Sequence, residues 1–416
     1  MKILVHDFEG WPFQGQLSRE LASRGHAVIH VYGGRAGVEE MVRLAEGVPA
    51  LRLWRAECGG DEAGGGLMAG RKLGLAYGRR VAAVVAAERP DVVVSSNTPA
   101  EARDVIARAC RASGALHYYW LQDMGSLAAD RMWRRRVPLA GYLAGAYCRW
   151  LEGSQLRAAA GVVAGADDCT RILRREFGVH RDRITIIPNW VPLESVPVRP
   201  KRNAWSESRG IADKFVFLHA GPLDESQSPG LLLELARRHR GNDGVRVVVV
   251  SEGSGADWLR AQAEAEPLPG LILPHCGAGA AMPDVLASGD VLIGLQADAD
   301  TTPAIPQSIL SYLCAERPVL LAAPSCSPAT QLVARERVGM TCAPGDLAAF
   351  LEAADHLRGQ PGLGPAMGRR GRAYAEKAFR IESIADRFER VIGVSSREKP
   401  FAERGVSATG TQVLAA

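Results

Sequence analysis

The chain has 416 residues, 47% of them hydrophobic and 23% charged, which excludes a disordered chain, a collagen-like repeat and a disulfide-stapled miniprotein. Lys and Arg number 50 against 46 Asp and Glu, a formal net charge of +4 that is too small to imply bulk nucleic-acid binding. At roughly 100–200 residues per domain, this length predicts two or three domains, and either half can bury its own core. The eight cysteines are scattered without CxxC spacing, so neither a zinc nor a redox site is expected. The opening MKILVHDFEG meets acids at Asp7 and Glu9 without an apolar h-region, and no run of about 18 apolar residues follows. A cytoplasmic chain with reduced thiols is the expectation.

Along the chain, short apolar runs alternate with amphipathic stretches. Strands are predicted at Lys2–His6, Ala27–Tyr32, Val92–Ser95, Leu116–Leu121, Gly161–Ala164 and Ile184–Pro188. Most are apolar on both faces, which fits a parallel sheet covered by helices on two sides. Gln14–Arg24 and Ala100–Ser113 read as amphipathic helices stopped by Gly25 and Gly114. The segment Pro188-Asn189-Trp190-Val191-Pro192, followed by Pro197 and Pro200, reads as a stiff interdomain linker.

A second series follows it, with strands at Phe215–Ala220, Val245–Val250, Leu271–Leu273, Val291–Leu295, Val319–Ala322 and Val338–Cys342. Helices are predicted between them at Gly230–Arg240, Asp257–Glu266, Met282–Ser288, Gln307–Ala315, Ala329–Arg337 and Leu347–Leu357. Leu363–Lys377 and Ile381–Ile392 are helical, and 395–416 reads as a disordered tail. The class is α/β, with two Rossmann-like domains in tandem, and the switch-point rule places ligands beyond the carboxyl ends of the strands.

Four stretches together resemble family 4 retaining glycosyltransferases of the GT-B fold, with the closest likeness to colanic-acid and exopolysaccharide enzymes. Arg19-Glu20-Leu21-Ala22-Ser23-Arg24-Gly25-His26-Ala27-Val28 looks like that family's first helix running into its second strand. Ile186-Ile187-Pro188-Asn189-Trp190-Val191 resembles its "vIPN" junction, and Ser251-Glu252-Gly253-Ser254-Gly255 its Gly/acid turn. The run from Ile305 to Val319 resembles its "vPSK…Y…A-G-x-P-v" helix. The resemblance implies two facing domains. Residues 1–190 would form an acceptor domain with helix 381–394 crossing back to it, and 191–380 a nucleotide-sugar donor domain. It implies sugar transfer from a UDP- or GDP-linked donor to a lipid-linked or glycan acceptor of bacterial surface polysaccharide, with retention and without a metal or other cofactor.

Such transfer needs the diphosphate held and its leaving charge neutralised. The Gly253–Gly255 turn opens a helix, so its backbone N–H groups can approach a phosphate or a sugar; the competing reading is a plain glycine turn. Glu252 and Gly221 flank this region. Pro306 opens the Gln307–Ala315 helix, with Ser308 and Ser311 on one side and Tyr312 adjacent to Ser308. In the first domain, Gln14 and Gly15 open a helix beyond the first strand. Trp11 and Phe13 there either stack on a sugar or form a hydrophobic staple. Gln122 and Asp123 follow the Leu116–Leu121 strand, with Asp123 an acceptor contact or base, or else an N-cap. His6, His117, His219 and His275 lie in or beside strands and read as structural.

The departures from the family pattern are concrete. Ser308 stands where Lys is common, Glu316 where Gly is usual, and the 221–229 loop carries no cation. The acid-x7-acid pair would fall on Pro303 and Ser311. Arg317 is the candidate replacement cation. Two missing charged contacts would remove about 3–6 kcal/mol if nothing compensates, which motivates an alternative reading: a catalytically degenerate paralogue serving as a scaffold. Finally, 131–157 interleaves Arg131, Arg134, Arg135, Arg136, Arg149 and Arg157 with Trp133, Tyr142, Tyr147 and Trp150. Such a helix can lie on an anionic bilayer, as a peripheral protein on the inner face of the plasma membrane would; otherwise it packs on the first domain with a solvated basic face.

Overall fold

The computed structural model describes residues 1–33, 38–56, 67–96, 98–122, 124–127, 130, 138–274, 282–297 and 304–393. The chain divides into two compact units. Unit 1 is built from residues 1–188 and returns for the helix Ile381–Val391; unit 2 is Asn189–Arg380.

Unit 1 holds a seven-stranded, wholly parallel sheet in the order β3-β2-β1-β4-β5-β6-β7. The strands are β1 (Lys2–Asp7), β2 (Ala27–Tyr32), β3 (Leu51–Arg55), β4 (Val92–Ser96), β5 (Leu116–Leu121), β6 (Gly161–Ala164) and β7 (Ile184–Ile186). Its helices are α1 (Pro12–Ser23), α2 (Val38–Ala45), α3 (Leu67–Glu88), α4 (Ala100–Ser113), α5 (Pro138–Ala158) and α6 (Asp167–Arg175). The sequence reading omits β3, α2, α3 and α6, and for β3 and α3 the reason is identifiable. β3 is an edge strand whose apolar run is broken by Arg52 and Arg55. In α3, glycines lower the helical propensity but let α4 approach: a Cβ on Gly78 would sit 2.8 Å from Ala102 Cα, and one on Gly74 3.0 Å from Pro99 Cγ.

Helix ends obey the glycine stops. Gly25 and Gly114 both have left-handed φ, at +92° and +78°, and the Gly114 N–H returns to the Cys110 carbonyl.

A buried ion pair ties α4, α5 and β5 together. Arg103 Nη2 meets Glu152 Oε1 at 3.1 Å, with the side chains 7% and 1% exposed. The guanidinium lies 4.4 Å over the Tyr119 ring, while the Tyr119 hydroxyl and the Ser126 N–H donate to the same carboxylate at 3.3 and 3.1 Å. The returning helix is held at the other flank. Arg24 pairs with Asp386 and Glu389 at 2.6 and 2.7 Å, and Phe388 packs edge-on against Trp120 at 4.7 Å.

Unit 2 repeats the plan with six parallel strands in the order β10-β9-β8-β11-β12-β13. These are β8 (Phe215–Ala220), β9 (Val245–Val250), β10 (Leu271–Ile272), β11 (Val291–Leu295), β12 (Val319–Ala322) and β13 (Gly339–Cys342). The helices are α7 (Ala204–Ser208), α8 (Gly230–Arg238), α9 (Ser254–Ala265), α10 (Met282–Ala287), α11 (Gln307–Cys314), α12 (Pro328–Glu336), α13 (Leu347–Gly359) and α14 (Leu363–Ala378); the returning helix is α15. The core includes Phe217, Leu232, Leu259, Ile293, Leu320 and Phe350. The proline-rich segment expected as a linker is fastened to this unit. Trp190 is fully buried, Gln307 Nε2 donates to its carbonyl at 2.9 Å, and Arg372 Nη1 donates to the Val196 carbonyl at 3.1 Å. The tail 395–416 lies outside the described residues.

Removing one member of a buried pair strands the other charge. Glu152→Gln should therefore lower the unfolding free energy by about 3 kcal/mol or more, measured by urea unfolding. A loss under about 1 kcal/mol, as for an exposed pair, would contradict the buried assignment.

Candidate functional site

In each sheet the strand order reverses once, between β1 and β4 and again between β8 and β11. There the loops diverge, and the polar residues that end the apolar strands gather.

At the unit 1 switch point, Asp7 ends β1 directly opposite Ser96, which ends β4. Asp7 is fully buried. Its carboxylate accepts the Glu9 N–H at 3.0 Å and the Trp11 N–H at 2.5 Å. The buried Gln14 amide donates from Nε2 to Asp7 Oδ2 and accepts from Ser96 Oγ, both at 2.5 Å. The turn 8–11 is thus wound around one carboxylate, with Gly10 at φ +81°. Burial pushes the Asp7 carboxyl up to about 7, against the opposing N–H bonds of Trp11 and Glu9. Beside it, Thr98 Oγ1 donates to the Ser96 carbonyl at 2.6 Å. A buried chain runs away from this point: His6 Nε2 and His117 Nε2 share Ser95 Oγ at 2.6 and 2.7 Å. Burial lowers both imidazoles, His117 to about 4.

The expected residues fall unevenly. Gln14 lies at the centre of this cluster, and Gly15 is buried in α1 beside it. Phe13 is a core residue against Trp120, 5.6 Å centroid to centroid, so the packing reading holds for it. Trp11 remains exposed. Gln122 is buried at the end of β5, while Asp123 and His275 lie outside the described residues. Asp7, Ser96 and Thr98 were missed as site residues. Their signal is a polar residue closing an apolar strand, as in LVHD and VVVSS.

At the unit 2 switch point, Gly221 follows β8 at φ +139°, and a Cβ there would lie 3.5 Å from Ser308 Cβ on α11. Gly253 is the N-cap of α9 at φ +111°; a Cβ would sit 2.7 Å from the Leu223 carbonyl oxygen. Gly255 N–H donates to that oxygen at 2.9 Å, and Leu223 N–H to the Glu252 carbonyl at 3.0 Å. Two loops are therefore stitched edge to edge. Arg260 underpins the turn, donating to the Ser251 carbonyl at 2.9 Å while paired with Asp257. Asp224 caps its own 3₁₀ turn 225–227. Pro306 is the N-cap of α11, and as at any helix start the first N–H groups have no intrahelical acceptor. Ser308 and Ser311 are half-buried. The structure thus brings Gly221, Glu252, Gly253, Gly255, Pro306 and Ser308 to one edge.

Two expected donor residues are placed elsewhere. Tyr312 is fully buried, with its hydroxyl bonded to the Ala220 carbonyl at 2.8 Å and the Ala220 N–H at 3.0 Å, so it pins α11 to β8. Arg317 precedes β12 and so sits at the amino end of the sheet, donating to the Ala287 and Gly289 carbonyls at 2.8 and 2.9 Å. It cannot replace a cation at the carboxyl end. Glu316 lies beyond the far end of α11 from Ser308, in a left-handed conformation with φ +59°. Its departure from Gly concerns backbone strain rather than the donor end. Pro303 lies outside the described residues. Among those residues, no group of three His, Cys, Asp or Glu side chains could hold a metal.

Residues 15–195 match the family profile described as Glycosyltransferase Family 4. The match runs from α1 to the proline-rich segment opening unit 2. Among solved structures, Anabaena Alr3699/HepE in complex with UDP-glucose superposes with a TM-score of 0.70 at 16% identity, over 94% of this chain and 99% of that one. Sucrose-phosphate synthase from Thermosynechococcus elongatus gives 0.70 at 15% identity, over 94% and 98%. WaaG, a glycosyltransferase involved in lipopolysaccharide biosynthesis, gives 0.63 at 15% identity, over 94% and 100%. No curated protein sequence matches the chain significantly. What these structures share with it is the fold: two parallel-sheet Rossmann-like domains of the GT-B type.

The Asp7 carboxyl gives a test of the unit 1 cluster. Its folded pKa lies above its ordinary value, so the stability it contributes is complete below about pH 4 and is lost as the pH rises through about 7. Relative to Asp7→Asn, the wild-type melting temperature should therefore fall between about pH 5 and pH 8. Parallel pH profiles would contradict the burial of this group.

Proposed function

We propose that the chain is a glycosyltransferase that moves a sugar from a nucleotide-diphosphate donor to a lipid-linked or glycan acceptor in bacterial surface-polysaccharide assembly, with retention. The observation that carries this reading is the unit 2 switch point: a glycine turn and two helix starts at one edge, in a GT-B fold whose first unit matches Glycosyltransferase Family 4. The N-terminus of α11 offers N–H groups and a positive dipole end to a diphosphate, and α9, whose Gly255 N–H is committed to the Leu223 carbonyl, adds its dipole. Ser308 offers a hydroxyl, and Gly221 leaves the space above it open. The bond from sugar C1 to the diphosphate oxygen breaks, and the acceptor oxygen bonds C1 on the same face. The acceptor proton passes to the departing diphosphate. Preorganised donors at the diphosphate stabilise its developing charge. In unit 1, the exposed Trp11, on the turn wound around the buried Asp7–Gln14–Ser96 cluster, faces the acceptor together with Gln122, which follows β5; Asp123 stays the proposed acceptor contact or base from its place in the sequence.

UDP is the first nucleotide to test, because Anabaena HepE was crystallised with UDP-glucose. Calorimetric titration with UDP, GDP and their sugar conjugates should reveal one conjugate that binds. A protein that binds none of them would overturn the reading. The second reading, a degenerate paralogue, is favoured by one observation: Arg317 is committed at the opposite edge. Ser308→Lys separates the two. One restored charged hydrogen bond is worth about 1.5–3 kcal/mol, so nucleotide-sugar affinity should rise tenfold or more if a lost cation is the defect. Unchanged affinity would exclude that account.

The peripheral membrane expectation takes a new form. Residues 131–137 lie outside the described residues, and within α5 the arginines are engaged by other groups of unit 1. Arg149 pairs with Glu176, and Arg157 donates to the Phe177 carbonyl. The exposed stripe is Tyr142, Leu143, Tyr147 and Trp150, with Leu143 72% and Trp150 63% exposed. No helix among the described residues is long and apolar enough to cross a membrane. We read the stripe as an interfacial contact, with the Arg-rich 131–136 sequence supplying attraction to anionic lipid. Leu143→Glu with Trp150→Glu should abolish co-sedimentation with phosphatidylglycerol vesicles. Undiminished sedimentation would rule the stripe out.

A further inference from the structure

Unit 1 carries a cavity of about 520 Å³ at the amino ends of β5 and β6, the sheet edge opposite the switch point. Its walls are the C-terminal halves of α4 and α5, and it is rimmed by Arg111 and Arg183. Its wall includes His117 and Gln155. The volume is that of a small-molecule pocket.

The charge in this cavity is uncompensated. Arg111 has no acid partner among the described residues, and Arg183 spends one N–H on the Arg157 carbonyl at 3.0 Å without meeting a carboxylate. The acid in the lining, Asp104, is taken by Arg108 at 2.5 Å. Gln155 is buried, donates to the Ala100 carbonyl at 2.6 Å and has a carboxamide oxygen with no partner. His117 uses Nε2 on Ser95, and burial with Arg103 and Arg111 nearby keeps the ring neutral. Several other unit 1 arginines meet an acid, among them Arg103 with Glu152, Arg24 with Asp386 and Glu389, and Arg149 with Glu176. Two unmatched guanidiniums over one concave, partly apolar pocket are the arrangement that recognises a phosphate.

We propose that this cavity is a second anion site that binds a small phosphomonoester between Arg111 and Arg183, apart from the proposed transfer site. The same chemistry is presented by a soluble sugar phosphate and by the phosphomonoester headgroup of phosphatidic acid. Occupancy would also act on the interior, because an anion beside Arg111 offsets the part that this arginine adds to the lowering of His117 by burial and Arg103. That ring shares Ser95 with His6, which lies next to Asp7 at the switch point.

The test compares the wild-type full chain with Arg111→Gln/Arg183→Gln, after confirming equal melting temperatures; Arg111→Lys/Arg183→Lys is the fallback if the first variant does not fold. One arm is calorimetry with glucose 6-phosphate and with inorganic phosphate, with and without saturating UDP. The other is sedimentation with phosphatidic-acid vesicles. Binding of the soluble phosphates that survives UDP and weakens tenfold or more in the variant supports a soluble ligand. Vesicle binding that falls likewise, without soluble binding, supports the headgroup. Either result should bring a pH-dependent shift of the His117 imidazole resonance on ligand addition. Wild type and variant behaving alike in both arms overturns the proposal, as does competition by UDP.

Discussion

Every strand in both sheets runs in the same direction, and in both sheets the order reverses once. This constraint governs the rest. A parallel strand buried on two faces is mostly apolar, so polar chemistry gathers toward its ends. At the reversal, neighbouring strands send their loops to opposite sides and leave a gap that helix starts and turns surround. Asp7, Gln14 and Ser96 meet at one reversal, and Gly221, Gly253 and Ser308 gather at the other. The same geometry removes Arg317 from consideration: a residue that precedes a strand stands at the wrong end of it.

Among the described residues, unit 2 presents backbone more than charge at its reversal. Gly253 and Gly255 are fixed by the Leu223 carbonyl rather than by the φ they adopt alone, since any Cβ at either position collides with the opposing loop. Arg260 lies beneath the turn, bonded to a carbonyl and an acid. A diphosphate at this edge would be held by N–H groups and helix dipoles. These orient a leaving group well but neutralise it less than a guanidinium does. This balance is the chemical question the proposed activity turns on.

The fold was legible because its signals are local. Valine-rich runs gave the central strands, and Gly25 and Gly114 marked helix ends through left-handed φ. The elements overlooked have weak local signals and are rescued by tertiary contact: β3 at an edge with Arg52 paired to Glu88, and α3 through the close approach of Gly74 and Gly78 to α4. The site was legible in part. Gln14 and Gly253 follow from position after a strand. Tyr312 did not, because the i+4 spacing that puts it beside Ser308 does not reveal that the ring turns into the core. Asp7 closes the apolar LVHD run, but that position alone does not tell a buried carboxylate ringed by N–H groups from a solvated loop acid.

The central claim is that the carboxyl edge of the unit 2 sheet holds the nucleotide diphosphate. Hydrogen–deuterium exchange of the full chain with and without UDP tests it most directly. The account predicts slowed exchange confined to the backbone of 221–228, 251–256 and 306–310, the turns and helix starts at the reversal. UDP protection that spares all three segments and falls elsewhere in the chain would contradict it.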